Sequence, residues 1–285
     1  MDLLDALAVF AEEPAPTHER LRELLGLSCT PDAATFAELF AFSLYPYASV
    51  YLGAEGKLGG VARDRVAGFF RALGATPPAE PDHLTVLLSA YARLRRDAPA
   101  AHAADALLHE HVLSWLPLYL SRVRALAPAP YPQWADLLAR TLMADARQAG
   151  DLSRRCLHLR TAPTLADPRV DGQDAFIAGM LAPVCAGMVL TGADLRRAAR
   201  DLQVGVRVGE RRFVLTSLFA QCPAALLRWL AAHTHTTIDA WRPWAAVAPD
   251  TTRWWTTRAT TTRAHLLDLA DHVAHADPAT TGAGP

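Results

Sequence analysis

Leu84, Leu87, Leu88, Tyr91 and Leu94 recur at the i, i+3, i+4, i+7 spacing of a helix with one buried face. The stretch ahead of them, Glu80-Pro81-Asp82-His83, predicts a bend, because Pro81 fixes its own φ and pushes Glu80 away from helical geometry. Asp82 then falls in the first turn, where a carboxylate accepts unpaired backbone N–H groups and meets the positive end of the helix dipole. The same period recurs along the chain. Residues 2–12 and 17–27 predict two short helices parted by Pro14-Ala15-Pro16, and Thr30-Pro31 starts a helix faced by Phe36, Leu39, Phe40 and Leu44. Ala62, Val66, Phe69, Phe70 and Leu73 make a further face, closed by Gly74 and Pro77-Pro78. Over 104–126, Leu107, Leu108, His111, Val112, Trp115, Tyr119, Arg122 and Val123 share a broad side, with Pro117 expected to kink the run. Trp134, Leu137, Leu138, Thr141 and Leu142 mark a helix at 132–147, and Gly150 opens a linker to about Gly172.

The later chain is less regular. Phe176, Ile177, Met180 and Leu181 predict a helix ending before Pro183, Ala193–Leu202 a basic amphipathic one, and Ala224–Ala232 another. Val204, Val206 and Val208 alternate too briefly to make a sheet, and Phe213, Val214, Ser217 and Leu218 restore the helical period. Beyond Trp241 the chain is rich in Thr, Trp and Arg; only His265–Val273 reads as helix, and the last residues are expected to be disordered. The expected fold is all-α. Its expected units are 1–160, a helical extension over 161–240, and a partly disordered tail over 241–285.

Composition narrows the function classes. A chain of 285 residues with net charge −1 carries no strongly basic signature of nucleic-acid binding, and Lys57 is its only lysine. Cys29, Cys156, Cys185 and Cys222 lie far apart, as expected of reduced thiols in the cytoplasm. Met1-Asp2-Leu3-Leu4-Asp5 lacks a basic leader, so no signal peptide is expected, and no apolar run reaches a membrane span. A soluble, cytoplasmic protein without stable membrane association is the expectation.

Catalytic chemistry finds little support. The eleven histidines include His109-Glu110-His111 and His233-Thr234-His235, but ligands two apart point to different sides of a helix, and HExxH is absent. Asp82-His83 and Asp271-His272 reverse the His-Asp order of helical phosphohydrolases, and no GxSxG appears. Gly53, Gly56, Gly59 and Gly60 lack a phosphate-loop spacing and read as a connector. No metal, cofactor or enzymatic activity is expected; a metal or nucleotide hydrolase using the histidines stays as an alternative. So does a DNA-binding regulator, because residues 192–220 resemble helix-turn-helix and carry Arg196, Arg197, Arg200, Arg207, Arg211 and Arg212. Nucleic acid is nevertheless not the expected partner.

Three motifs bear on function. Pro46-Tyr47-Ala48-Ser49-Val50-Tyr51 forms an aromatic segment, Glu80-Pro81-Asp82-His83 a hinge, and His111, Trp115, Pro117 and Tyr119 a His-x-x-x-Trp-x-Pro-x-aromatic helix. Together and in this order they resemble the TorD/DmsD family of redox-enzyme maturation chaperones, over residues 30–150. The resemblance implies two packed helical halves joined near 77–83. It also implies binding of the twin-arginine signal peptide, or the apoprotein, of a molybdenum-cofactor oxidoreductase until cofactor insertion is complete. A delta-subunit type of assembly factor, acting on a cytoplasmic reductase subunit, is the close variant, and the family's domain exchange leaves a homodimer open.

The implied peptide-binding residues are Glu80, Pro81, Asp82, His83, Pro46, Tyr47, Ser49, Tyr51, Trp115 and Pro117. Two guanidinium groups followed by an apolar run call for carboxylates beside an aromatic groove. Asp82, with Glu80, would supply charge-assisted bonds, and Tyr47, Tyr51 and Trp115 would supply stacking surfaces. His83 would add a hydrogen bond whose strength changes with protonation near neutral pH.

Overall fold

The leucine stripe becomes the helix Leu84–Arg96, with all five apolar positions buried. It belongs to a computed structural model that describes residues 2–149 and 157–276. Within them the chain is all-α, and its one strand-like feature is a bridge between Tyr47 and His83. The helix Leu3–Val9 lies against Leu84–Arg96 and is tied to it by the Thr85 hydroxyl, which donates to the Ala8 carbonyl at 3.0 Å. Leu116–Leu126 packs on Tyr131–Gln148, whose Trp134 indole donates to the Leu7 carbonyl at 2.8 Å. These helices enclose the first hydrophobic core.

That core does not stop at residue 160. Ala182, Val184, Cys185 and Val189 enter it, and so do Ala240, Trp241, Trp244 and Trp255. The Trp255 indole donates to the Ser114 carbonyl at 2.8 Å, across 141 residues of sequence. A second core gathers Phe176, Ile177, Met180, Leu195, Leu215, Leu218, Leu226 and Leu230. Both cores are closed by one helix, Pro249–Ala276, which gives Trp255 to the first and Leu266, Leu269 and Ala270 to the second.

This helix corrects the expectation of a largely irregular tail after Trp241. Threonine lowers helix propensity, which hid the element. The buried positions Trp255, Ala259, Thr262, Leu266, Leu269 and Ala270 nevertheless keep the helical period. The hydroxyls of Thr256 and Thr260 bond back to the carbonyls four residues earlier, both at 2.8 Å. Gly187 permits the crossing: at φ +68° it lies so close that a Cβ there would sit 2.7 Å from the Ala259 nitrogen. Cys156, the start of the linker at Gly150 and the chain end beyond Ala276 lie outside the described residues.

Pro117 also departs from expectation. It does not kink a continuous helix. The run 104–126 breaks after a π-helical stretch, Leu107–Val112, and Pro117 stands in the first turn of a new helix, Leu116–Leu126. A missing N–H costs nothing at that position.

Candidate functional site

The aromatic segment and the hinge, far apart in sequence, are zipped together. The Ala48 amide donates to the Asp82 carbonyl at 3.0 Å and the Leu84 amide to the Pro46 carbonyl at 2.8 Å, which makes the antiparallel Tyr47–His83 bridge. Two short helices thus begin side by side, Ala48–Leu52 and Leu84–Arg96. Their caps are exchanged relative to the sequence reading. His83, not Asp82, caps its own helix, its Nδ1 accepting from the Thr85 amide at 3.3 Å. The Asp82 carboxylate instead caps the other helix, accepting the Ser49 amide at 3.0 Å. The Ser49 hydroxyl in turn accepts the Gly59 amide at 3.2 Å, which folds the glycine loop onto the motif.

Tyr51 carries the site inward to the third motif. Its ring stacks on Trp115 at 5.0 Å with 17° between planes, and Tyr119 meets it edge-on at 5.5 Å. The Trp115 indole donates to the His111 carbonyl at 2.9 Å, where the π-helical stretch ends. All three sequence motifs therefore meet, through one tyrosine.

Burial divides the expected residues. Asp82 is 1 % exposed, Tyr51 1 % and Trp115 0 %, and Pro46, Ser49, Pro81 and Pro117 are buried too. Each of these side chains faces the core. Glu80 is exposed, and Tyr47 and His83 are half-buried. The Tyr47 hydroxyl donates to Glu80 Oε2 at 2.9 Å, and its ring packs edge-on against His83 at 4.7 Å. Burial and the Glu80 carboxylate push the Tyr47 hydroxyl up to about 12, so it stays a donor at neutral pH. Burial pushes His83 below its ordinary range, against the pull of Glu80 and Asp82. Its protonation near neutral pH, expected from the sequence, moves to the acid side.

Phe42 was missed. It is 76 % exposed, five residues before Tyr47. The signal was present: a large apolar residue off the Phe36, Leu39, Phe40 and Leu44 stripe has no place in the core.

A first prediction follows from the exchanged cap. Asp82→Ala is expected to lower stability by about 1.5–3 kcal/mol, the range for a hydrogen bond to a charged group. Urea unfolding measures it, and a loss under about half a kcal/mol would contradict the cap.

Beside the motif lies a cavity of about 250 Å³, bounded by the loop Leu52–Ala62, Arg65, His158 and the segment 161–163. Gly56, at φ +60°, lets this loop run against the chain at Leu181, where a Cβ would come within 2.6 Å of that residue's carbonyl oxygen. Arg65 fixes the cavity's far wall, donating to Thr161 Oγ1 at 2.9 Å and approaching His158 Nδ1 at 3.5 Å. His158 Nε2 faces His111 Nδ1 at 3.4 Å.

Burial and Arg65 push His111 down to about 4. Burial, His111 and Arg65 push His158 down to about 3. Both rings are thus neutral in the fold, whereas in the unfolded chain they take up protons near 6.5. The unfolded state binds more protons between those values, so stability is complete above about pH 6.5 and declines as pH falls toward 4. Urea midpoints at pH 7.5, 6 and 5 are expected to decrease in that order, less steeply in His158→Gln. Equal slopes in the two proteins would refute the assignment.

The arginines of 192–220 are in part committed internally. Arg197 bonds Asp194 at 3.2 Å and lies over the Trp229 ring at 5.5 Å, Arg211 donates to the Leu190 carbonyl at 2.9 Å, and Arg212 to Asp174 at 2.8 Å. Among the described residues, no three His, Cys, Asp or Glu side chains converge on a point that would hold a metal. No helix among them is long and apolar enough to cross a membrane.

The all-helical fold and these paired motifs are similar to those of the TorD-type redox-enzyme maturation chaperones. Residues 17–120 match the family described as the nitrate reductase delta subunit. The match spans the aromatic segment, the hinge and the Trp115 turn. Comparison with curated proteins and with solved structures gave no match.

Proposed function

We propose that the protein holds an arginine-bearing segment of its client, a molybdenum-cofactor oxidoreductase precursor, at the exposed rim of the hinge until the cofactor is inserted. The observation that carries this reading is the Glu80 carboxylate. It is exposed and oriented by the Tyr47 hydroxyl, on a rim whose backbone is fixed by the Tyr47–His83 bridge. A guanidinium approaching Glu80 would form a charge-assisted pair and meet the Tyr47 ring. Exposed Phe42, nearby in sequence, offers contact for an apolar run. Asp82, Ser49, Tyr51, Trp115 and Pro117 act by holding that rim in place.

Glu80→Gln is expected to weaken binding of a twin-arginine signal peptide by roughly threefold to tenfold, since the pair would be solvent-exposed. Melting temperature should be unchanged. Calorimetric titration of the full chain with such a peptide reads this out, and equal affinity in the two proteins would remove Glu80 from the site. The family description favours a second reading, an assembly factor for a reductase catalytic subunit without an export signal. Capture of such a subunit, with no affinity for twin-arginine peptides, would decide for it.

A further inference from the structure

A larger cavity, of about 510 Å³, lies between the segment Thr164-Leu165 and one side of Pro249–Ala276. Its walls include Arg253, Trp254, Thr257, Arg258, Thr262 and His265, and no carboxylate among the described residues that line it.

One of these side chains is unsatisfied in an informative way: His265 Nε2 is buried without a hydrogen-bond partner. Thr262, 2 % exposed, lines the same cavity. A buried polar atom left unpaired is destabilising, and beside a cavity a bound group can supply its missing partner. Arg258 adds a half-buried positive charge. Its guanidinium donates to the carbonyls of Pro163 at 2.6 Å and Ala162 at 3.4 Å and lies 4.8 Å over Trp254, so its partners are dipoles and a ring, not a carboxylate. Those bonds use two of its five N–H groups and hold the rest in a fixed plane. Arg253 is paired with Asp250 at 3.2 Å but remains mostly exposed.

We propose that this cavity binds a small organic anion. Its phosphate or carboxylate group is held by Arg258 and Arg253, and Thr262 and His265 complete the hydrogen bonds. The volume suits a small molecule rather than a lone ion. Carboxylate and phosphate oxygens both match the guanidinium fork, and among the described residues that line the wall no carboxylate repels such a ligand. This site is separate from the hinge rim and does not rest on the chaperone reading.

The test is calorimetric titration of the full chain at about 0.15 M salt, where attraction between exposed charges is screened. The probes are pyrophosphate and GMP for the phosphate arm, citrate and glutamate for the carboxylate arm, and ribose as a neutral control. Saturable one-to-one binding in at least one arm is expected, and the responding arm identifies the group. Affinity should fall roughly tenfold in Thr262→Val and in Arg258→Gln, the order of one good charge-assisted bond. Thr262→Val keeps the side-chain shape and removes only the hydroxyl, so with an unchanged melting temperature it separates loss of the site from loss of the fold. Absence of saturable heat in both arms, or affinity undiminished in either variant, overturns the proposal.

Discussion

Arg122→Met is expected to cost about 3–5 kcal/mol of stability, the range for removing one member of a buried ion pair. Arg122 and Asp194 are both almost completely buried, and the guanidinium reaches the two carboxylate oxygens at 2.7 Å each. Asp194 also accepts from the Thr191 amide at 2.9 Å and hydroxyl at 2.6 Å, and from Arg197 at 3.2 Å. Burial alone would raise the Asp194 carboxyl, but Arg122, His233 and Thr191 outweigh it and hold it below the ordinary carboxylate range. Methionine would fill the volume and leave that buried carboxylate without its main partner. Arg122 belongs to the first core's helix Leu116–Leu126 and Asp194 to Gly192–Asp201, so the pair is a clasp between the two cores.

The penalty should have a pH signature. In the wild type the depressed carboxyl contributes stability that is present above the ordinary carboxylate range and lost as pH falls through its lowered value. In Arg122→Met the carboxyl is raised instead, so acidification should recover part of the loss. Arg122→Met/Asp194→Leu should recover much of it at neutral pH, because no charge is then left unpaired. Urea unfolding at two pH values measures all three proteins. A single-variant loss below about 1 kcal/mol, or no recovery in the double variant, would show that the clasp is not what joins the cores.

Legibility in the sequence tracked the strength of local signals. Leu84–Arg96 was clear because an apolar stripe and a proline bend agreed about one element. The C-terminal helix was obscured because threonine preference and buried period disagreed, and packing of Trp255 and Leu266 decided the outcome. Asp82 shows a different limit. A carboxylate beside a helix start is readable as a cap, but which helix it caps depends on the segment bridged to it at Tyr47, a tertiary fact. The motifs around Tyr47, Glu80 and Trp115 were legible as a group, while their division into exposed rim and buried support was not, since residue type does not report burial for Tyr, Trp and Asp alike. The Arg122–Asp194 clasp left no trace at all: an arginine on an otherwise apolar face and an aspartate after a cap look ordinary until they are brought together.

Trp115→Ala is expected to cost about 3–5 kcal/mol, as for other buried tryptophans cut to alanine. The indole is fully buried, stacked on Tyr51, edge to Tyr119, and bonded to the His111 carbonyl. Truncation would remove the contact through which the aromatic segment rests on the Leu116–Leu126 helix. Trp115→Phe keeps most of the ring but leaves the His111 carbonyl without its indole donor, which should cost about 1–3 kcal/mol. This grading separates support from contact. If Trp115 only supports the rim, client peptide affinity per folded molecule should hardly change in Trp115→Phe, while Glu80→Gln lowers affinity without touching stability. The opposite pattern, wild-type stability in Trp115→Phe with binding abolished, would mean that the indole meets the ligand itself. The Tyr51–Trp115 stack would then have to open on binding, and the rim seen here would be the closed form of a deeper groove.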